Sequence, residues 1–144
     1  MKKASNLSEN EILYFYNLLY TLERVTKYEG FNIQKIKSST KKIIRLNGEF
    51  GQNDQIPKPN KKNCLNFKGK KKKTIHLLKH IRNSFAHGLI EGRGNDFFLL
   101  DLPHGKIPEE DKEKYATMIG TMSKNTFYKM IKAILNTNPL TKNC

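Results

Sequence analysis

The chain has 144 residues, the size of one domain, and 27 Lys and Arg against 13 Asp and Glu give it a net charge of +14, which points to a polyanionic partner. Two cysteines, Cys64 and Cys144, argue against a disulfide scaffold or a cysteine-built zinc site and suggest a reducing, cytoplasmic setting. The N-terminal stretch has no apolar signal core, and no apolar run nears the ~20 residues that span a bilayer, so no membrane partner is expected.

Ser8-Glu9-Asn10-Glu11 reads as a capping box, with Leu7 and Ile12 at staple positions. Ile12, Phe15, Leu19 and Leu22 continue a helical face, and Gly30 is a stop signal. A second helix is predicted from about Ile33 to Leu46, ending at Asn47-Gly48. From about 48 to 73 the periodicity vanishes among Gly48, Gly51, Pro57, Pro59 and Gly69, which predicts a Lys-rich exposed loop. Thr74 to Ala86 forms a third helix on Ile75, Leu78, Ile81 and Phe85, and Gly88 suits a left-handed cap. Leu89 to Leu102 reads as a short β-hairpin turning at Gly92, Gly94, Asn95 and Asp96. Pro108-Glu109-Glu110-Asp111 opens a last helical region that runs to Ile134, with Gly120 and Ser123 as points where it splits in two. The expected class is mainly α: a single domain over 1–144, a bundle of four to five helices with a short hairpin after the third.

The charge is concentrated. Between Gln55 and Ile90 there is no Asp or Glu, while Lys58, Lys61, Lys62, Lys68, Lys70, Lys71, Lys72, Lys73, Lys79 and Arg82 fall in that stretch. A local field of one sign marks a nucleic-acid surface, for which Lys61, Lys62, Lys68, Lys70, Lys71, Lys72, Lys73, His76, Lys79 and His80 are the candidates. A solvated loop with no partner is the plain alternative. His76 and His80 are spaced as a metal pair, but no nearby Asp, Glu or Cys supplies the further ligands, so neither a metal nor a cofactor is expected.

The chemistry-bearing segment is Lys79-His80-Ile81-Arg82-Asn83-Ser84-Phe85-Ala86-His87-Gly88. It resembles the signature of the HEPN superfamily, an Arg, a polar residue and, after three more, a His near the end of an inner helix. Arg82, Asn83 and His87 match those positions, and Gly88 with the hairpin resembles a small plasmid-encoded subfamily. The resemblance implies an all-helical domain and, in many members, a ribonuclease whose site is shared by two copies. It implies toxin or anti-phage roles, with an antitoxin or regulatory protein as partner. Leu89 stands where some members carry a Tyr that a partner enzyme modifies, which argues against that branch.

The residue types fit the same chemistry. RNA carries its own nucleophile, the 2′-hydroxyl, so cleavage needs a base, an acid and a cation for the phosphorane. Histidine titrates near neutrality, at ~6.5 unperturbed, and serves either proton role. Arginine stays charged and presents a planar fork to phosphate oxygens. Asparagine holds a phosphate oxygen or orients its neighbours. Helical geometry separates Arg82 from His87 by roughly 140°, and the motif has one His per chain; both features favour a homodimeric, composite site. The expected function is a metal-independent endoribonuclease with catalytic Arg82, Asn83 and His87. The alternative is a catalytically silent module that binds nucleic acid or a protein partner; on residue types alone, His87 also suits a helix C-cap and Arg82 a surface cation.

Overall fold

The computed structural model describes residues 6–25, 44–50, 55–69, 74–103 and 107–136. In chain order these form α1 (Glu9–Val25), β1 (Arg45–Phe50), β2 (Cys64–Lys68), α2 (Thr74–Ala86), β3 (Ile90–Arg93), β4 (Asp96–Asp101), a 3-10 turn (Glu109–Asp111), β5 (Met118–Ser123) and α3 (Lys124–Leu135). The strands make one five-stranded sheet in the order β1-β2-β5-β4-β3. β1 runs parallel to β2, and the other neighbours are antiparallel.

This corrects the expectation of a mainly helical bundle. The architecture is α/β, with a mixed sheet and three helices among the described residues. Side-chain alternation along the strands defines its two faces. Leu65 and Phe67 of β2, Phe97 and Leu99 of β4, and Met118 and Met122 of β5 pack in one core with Phe15, Leu18 and Leu22 of α1, with Leu77, Leu78 and Ile81 of α2, and with Phe127, Met130, Ile131 and Ile134 of α3. Phe98, Leu100 and Ile119 point the other way and are covered by Ile56 and Ala116 from connecting segments.

Three sequence expectations hold. The capping box forms: the Ser8 amide donates to Glu11 Oε1 at 2.9 Å, and the Glu11 amide donates to Ser8 Oγ at 3.2 Å. The third predicted helix has the expected bounds, Thr74 to Ala86. The hairpin pairs Ile90 with Leu99 through Arg93 with Asp96, and its turn holds Gly94 at a left-handed φ of 61°.

Others are corrected. The predicted loop at 48–73 contains the end of β1 and the whole of β2, whose first four residues are buried. Leu65 and Phe67 face the main core, and on the opposite face Asn66 donates to the Pro57 carbonyl oxygen, so both faces of the strand are covered and burial does not alternate along it. The last helical region begins as a 3-10 turn, continues as strand β5 and becomes helical only at Lys124. Ser123, one of the expected splitting points, is the switch: its Oγ accepts from the Thr126 amide at 3.2 Å and caps α3. The predicted helix from Ile33 to Leu46 falls largely outside the described residues, and its end, Arg45 and Leu46, lies in β1. Gly30 also lies outside them.

Candidate functional site

The motif helix α2 is fastened on its inner side. Leu77, Leu78, Ile81 and Ser84 are buried, and Ser84 Oγ donates to the carbonyl oxygen of Leu100 in β4 at 2.6 Å. The buried hydroxyl is thus satisfied, and the last turn of α2 is pinned to the sheet. Beyond it the helix ends in a double closure: the Leu89 amide donates to Ser84 O at 2.7 Å and the Gly88 amide to Phe85 O at 3.0 Å. Gly88 has φ 69°, the left-handed geometry this ending requires. His87 is therefore the residue at which the helix stops.

Arg82 and Asn83 are brought together. Both Nε and Nη2 of Arg82 donate to Asn83 Oδ1, at 3.3 and 3.0 Å. Asn83 thereby fixes the plane of the guanidinium without cancelling its charge. Among the described residues no carboxylate pairs with Arg82. The imidazole of His87 is exposed and has no hydrogen-bond partner among them either. The structure thus joins two of the three motif residues and leaves the third separate on the same helix end, in keeping with the angular offset of a straight helix.

His80 is placed otherwise than expected. It sits in the groove between α2 and the sheet, with a side chain 16% exposed. Its Nδ1 lies 2.7 Å from Asp101 Oδ2, and its Nε2 lies 2.7 Å from the carbonyl oxygen of Lys68. A carbonyl only accepts, so Nε2 must donate to it, and the Nδ1–Oδ2 contact holds a second proton. Both ring nitrogens are committed to holding α2 on β2 and β4, so His80 faces the sheet and not an RNA. The reason is that α2 packs against the sheet and against α1, which leaves it less free surface than a single apolar stripe suggests. His76 is half-buried and packs on Gly69, where an added Cβ would stand 2.8 Å from His76 Cβ.

The lysines do not form one arm among the described residues. Lys61 and Lys62 are exposed in the turn before β2, and Lys62 pairs with Asp96 at 3.1 Å. Lys68 closes the same strand, and at about 3.3 Å per residue the two ends lie roughly 13 Å apart. Lys79 is exposed on α2. Lys70, Lys71, Lys72 and Lys73 lie outside the described residues.

Other reactive groups are structural. Burial pushes the Cys64 thiol up, against the opposing pull of Arg45 and Asn47, so it is a poor nucleophile. Glu11 pairs with Lys124 at 2.7 Å and ties α1 to α3. Among the described residues no group of three or more His, Cys, Asp or Glu side chains is placed to hold a metal ion, and no helix is long and apolar enough to cross a membrane.

One feature beside the motif escaped the sequence reading. The Phe85 ring, between Asn83 and His87 in the chain, stacks on Phe15 of α1 at 5.2 Å and meets Tyr16 edge-on at 5.1 Å. Tyr16 and Tyr20 are 59% and 73% exposed. The signal was present as two aromatics one turn apart, off the core stripe of α1.

No protein-family model, curated protein or solved structure matches the chain. The HEPN resemblance therefore stands on Arg82, Asn83, His87 and their helix, without the helical bundle it implied.

Proposed function

We propose that the chain is a metal-independent endoribonuclease of HEPN type, working in the cytoplasm as a homodimer with Arg82, Asn83 and His87 at its site. The observation that carries this reading is the state of the α2 terminus: a guanidinium held in plane by Asn83 and, among the described residues, paired with no acid, with an exposed His87 imidazole five residues on that has no hydrogen-bond partner among them. A surface arginine and a capping histidine need no such arrangement. Phosphate binding benefits from it, because a pre-oriented fork loses less freedom when it grips two oxygens. In the reaction, His87 of one copy removes the 2′-hydroxyl proton, and the oxygen attacks phosphorus. The bond to the 5′-oxygen breaks, and His87 of the other copy returns a proton to it. Arg82 meets the charge on the equatorial oxygens. The products are a 2′,3′-cyclic phosphate and a 5′-hydroxyl.

The test incubates purified protein with mixed RNAs, with and without EDTA. Cleavage should persist in EDTA, fail on 2′-deoxy linkages and fall ~100- to 10,000-fold in His87→Ala. Adding His87→Ala chains to unmodified ones should lower activity by more than dilution if sites are shared, because a mixed dimer lacks one of the two imidazoles. Activity that vanishes in EDTA and returns with magnesium would rule out the mechanism. Binding without any cleavage would leave the chain a silent RNA-binding module.

A further inference from the structure

We infer that Tyr16 and Tyr20 on α1 form a stacking platform for unpaired bases, so that the nucleic acid taken at the Arg82 end of α2 is single-stranded. The inference rests on the proposed RNA-directed function and adds the form of the substrate and the residues that hold its bases.

Three observations carry it. Leu13, Tyr16 and Tyr20 are 59%, 59% and 73% exposed, an unusual display for large apolar side chains on a helix whose other face is core. They follow one another at spacings of 3 and 4, so they line one face of α1. That face adjoins the motif, because Tyr16 meets the Phe85 ring at 5.1 Å and Phe85 lies three residues after Arg82, on the same side of α2. An exposed phenol ring and a guanidinium that pairs with no acid among the described residues therefore stand on adjoining helix faces. That pairing suits a base and its phosphate.

The area of the stripe argues against a second protein chain as its main occupant. An aromatic side chain offers ~150–250 Å², so three side chains exposed to this degree present on the order of 400 Å². A stable protein interface needs about 800 Å² from each partner. Base stacking needs only a ring face per base and is indifferent to sequence. The spacing selects a strand over a duplex. The four residues from Tyr16 to Tyr20 rise about 6 Å along the helix, whereas stacked bases in a duplex strand lie about 3.4 Å apart. Both faces of an internal base in a duplex are covered by its stacked neighbours, so bases that engage the two rings must leave the stack, as an unpaired strand allows.

The experiment measures affinity for a labelled 2′-deoxy oligonucleotide, which the proposed chemistry leaves uncut, as a single strand and as a duplex. Tyr20→Ala and Tyr16→Ala should each weaken single-strand binding by roughly 5- to 150-fold, and Tyr16→Phe and Tyr20→Phe should restore it. Duplex binding should stay within about twofold of the unmodified protein. Replacing the bases of the oligonucleotide by abasic sites should erase the difference between the unmodified protein and Tyr20→Ala. Tyr20, the more exposed ring, is the safer truncation for the fold, and a helical circular-dichroism spectrum checks each variant. Single-strand affinity unchanged in both Ala variants, in a protein that still cleaves RNA through His87, would overturn the platform and leave the ribonuclease reading standing. A change in oligomeric mass with unchanged affinity would assign the stripe to a protein contact and equally overturn it. If the unmodified protein binds no single strand, the platform and the RNA-directed function fall together.

Discussion

His80 and His87 lie seven residues apart on one helix and are set opposite tasks by their surroundings. His80 is clamped between Asp101, 2% exposed, and the Lys68 carbonyl, while His87 stands in solvent at the helix end. Removing His80 strips Asp101 Oδ2 of its partner and leaves the carboxylate with the Leu102 amide at 3.0 Å. A buried charge left in this way costs about 3–5 kcal/mol. His80→Ala should therefore lower the unfolding free energy by that order in a denaturant titration, whereas His87→Ala should cost at most ~1 kcal/mol through its lost place at the helix dipole. Equal destabilisation by the two would show that His87 is held by more than the helix end. Under the proposed function Asn83 is a positioning residue, since its contact is with the Arg82 guanidinium. Asn83→Ala should cost less activity than Arg82→Ala, and Arg82→Lys should not recover the loss, because an ammonium cannot reproduce the two-pronged grip on phosphate. Steady-state kinetics on one RNA substrate would show it; an Asn83→Ala defect as deep as that of Arg82→Ala would mean that Asn83 itself touches the reacting phosphate.

At the scale of elements, the strand β5 is held to β2 by a residue chosen for lack of size. A Cβ on Gly120 would lie 2.1 Å from the carbonyl oxygen of Cys64, a backbone atom that cannot yield without parting the strands. Gly120→Ala should therefore unfold the sheet or drive the protein into inclusion bodies, where Gly94→Ala, with open space at its Cβ, should cost about 1–2 kcal/mol for its left-handed φ. Comparable soluble yields from the two would mean that β2 and β5 are not paired as described. The α1–α3 tie is milder and depends on pH. Burial pushes the Glu11 carboxyl up, but the Lys124 ammonium and the Ser8 amide together hold it below its ordinary value of 4.5. A lowered folded-state value contributes stability above the unfolded value and loses it as pH falls through the folded one. Thermal scans should accordingly show the unmodified protein more stable than Glu11→Gln at neutral pH, with the gap closing on the acid side of about 4.5. A gap that is the same at every pH would remove the ion pair from the account. Helix α1, α2 and the hairpin were legible because each carries local punctuation: a capping box, an apolar face ended by Gly88, a Gly94 turn. Strands β2 and β5 carry none. Cys64-Leu65-Asn66-Phe67 is buried throughout, and Asn66 sits inside only because its amide donates to Pro57 O at 2.7 Å while its Oδ1 accepts from Asn47 at 2.8 Å. Met118, Ile119 and Met122 fit a helical spacing as well as a strand, and only long-range pairing decides between them. The motif residues were readable for the same reason as their helix, being local, while Asp101 joined His80 across the fold and gave no sequence signal.

For the whole molecule, the charge of +14 is a field, and its members are not equivalent. Lys62 is partly spent on Asp96, and Lys58 on Glu113 at 3.2 Å. The four consecutive lysines Lys70 to Lys73 have no acid near them in sequence and run directly into α2, the helix that ends at the candidate site. If they bind the strand whose bases stack on Tyr16 and Tyr20, they do so through phosphates, and each phosphate neutralised releases counterions. For single strands that contributes about 0.7 to the slope of log affinity against log salt. Replacing Lys70 to Lys73 by Gln should flatten the slope by up to about 3, with the loss of affinity greatest at low salt. Tyr20→Ala changes no charge, so it should shift the whole line downward and leave its slope alone. The two variants together separate the electrostatic contribution from the stacking one on a single plot of binding against salt. A slope unmoved by the Lys70–Lys73 replacement would mean that these four charges stay solvated in the complex, and that the polyanion is held by Arg82 and the lysines around β2 instead.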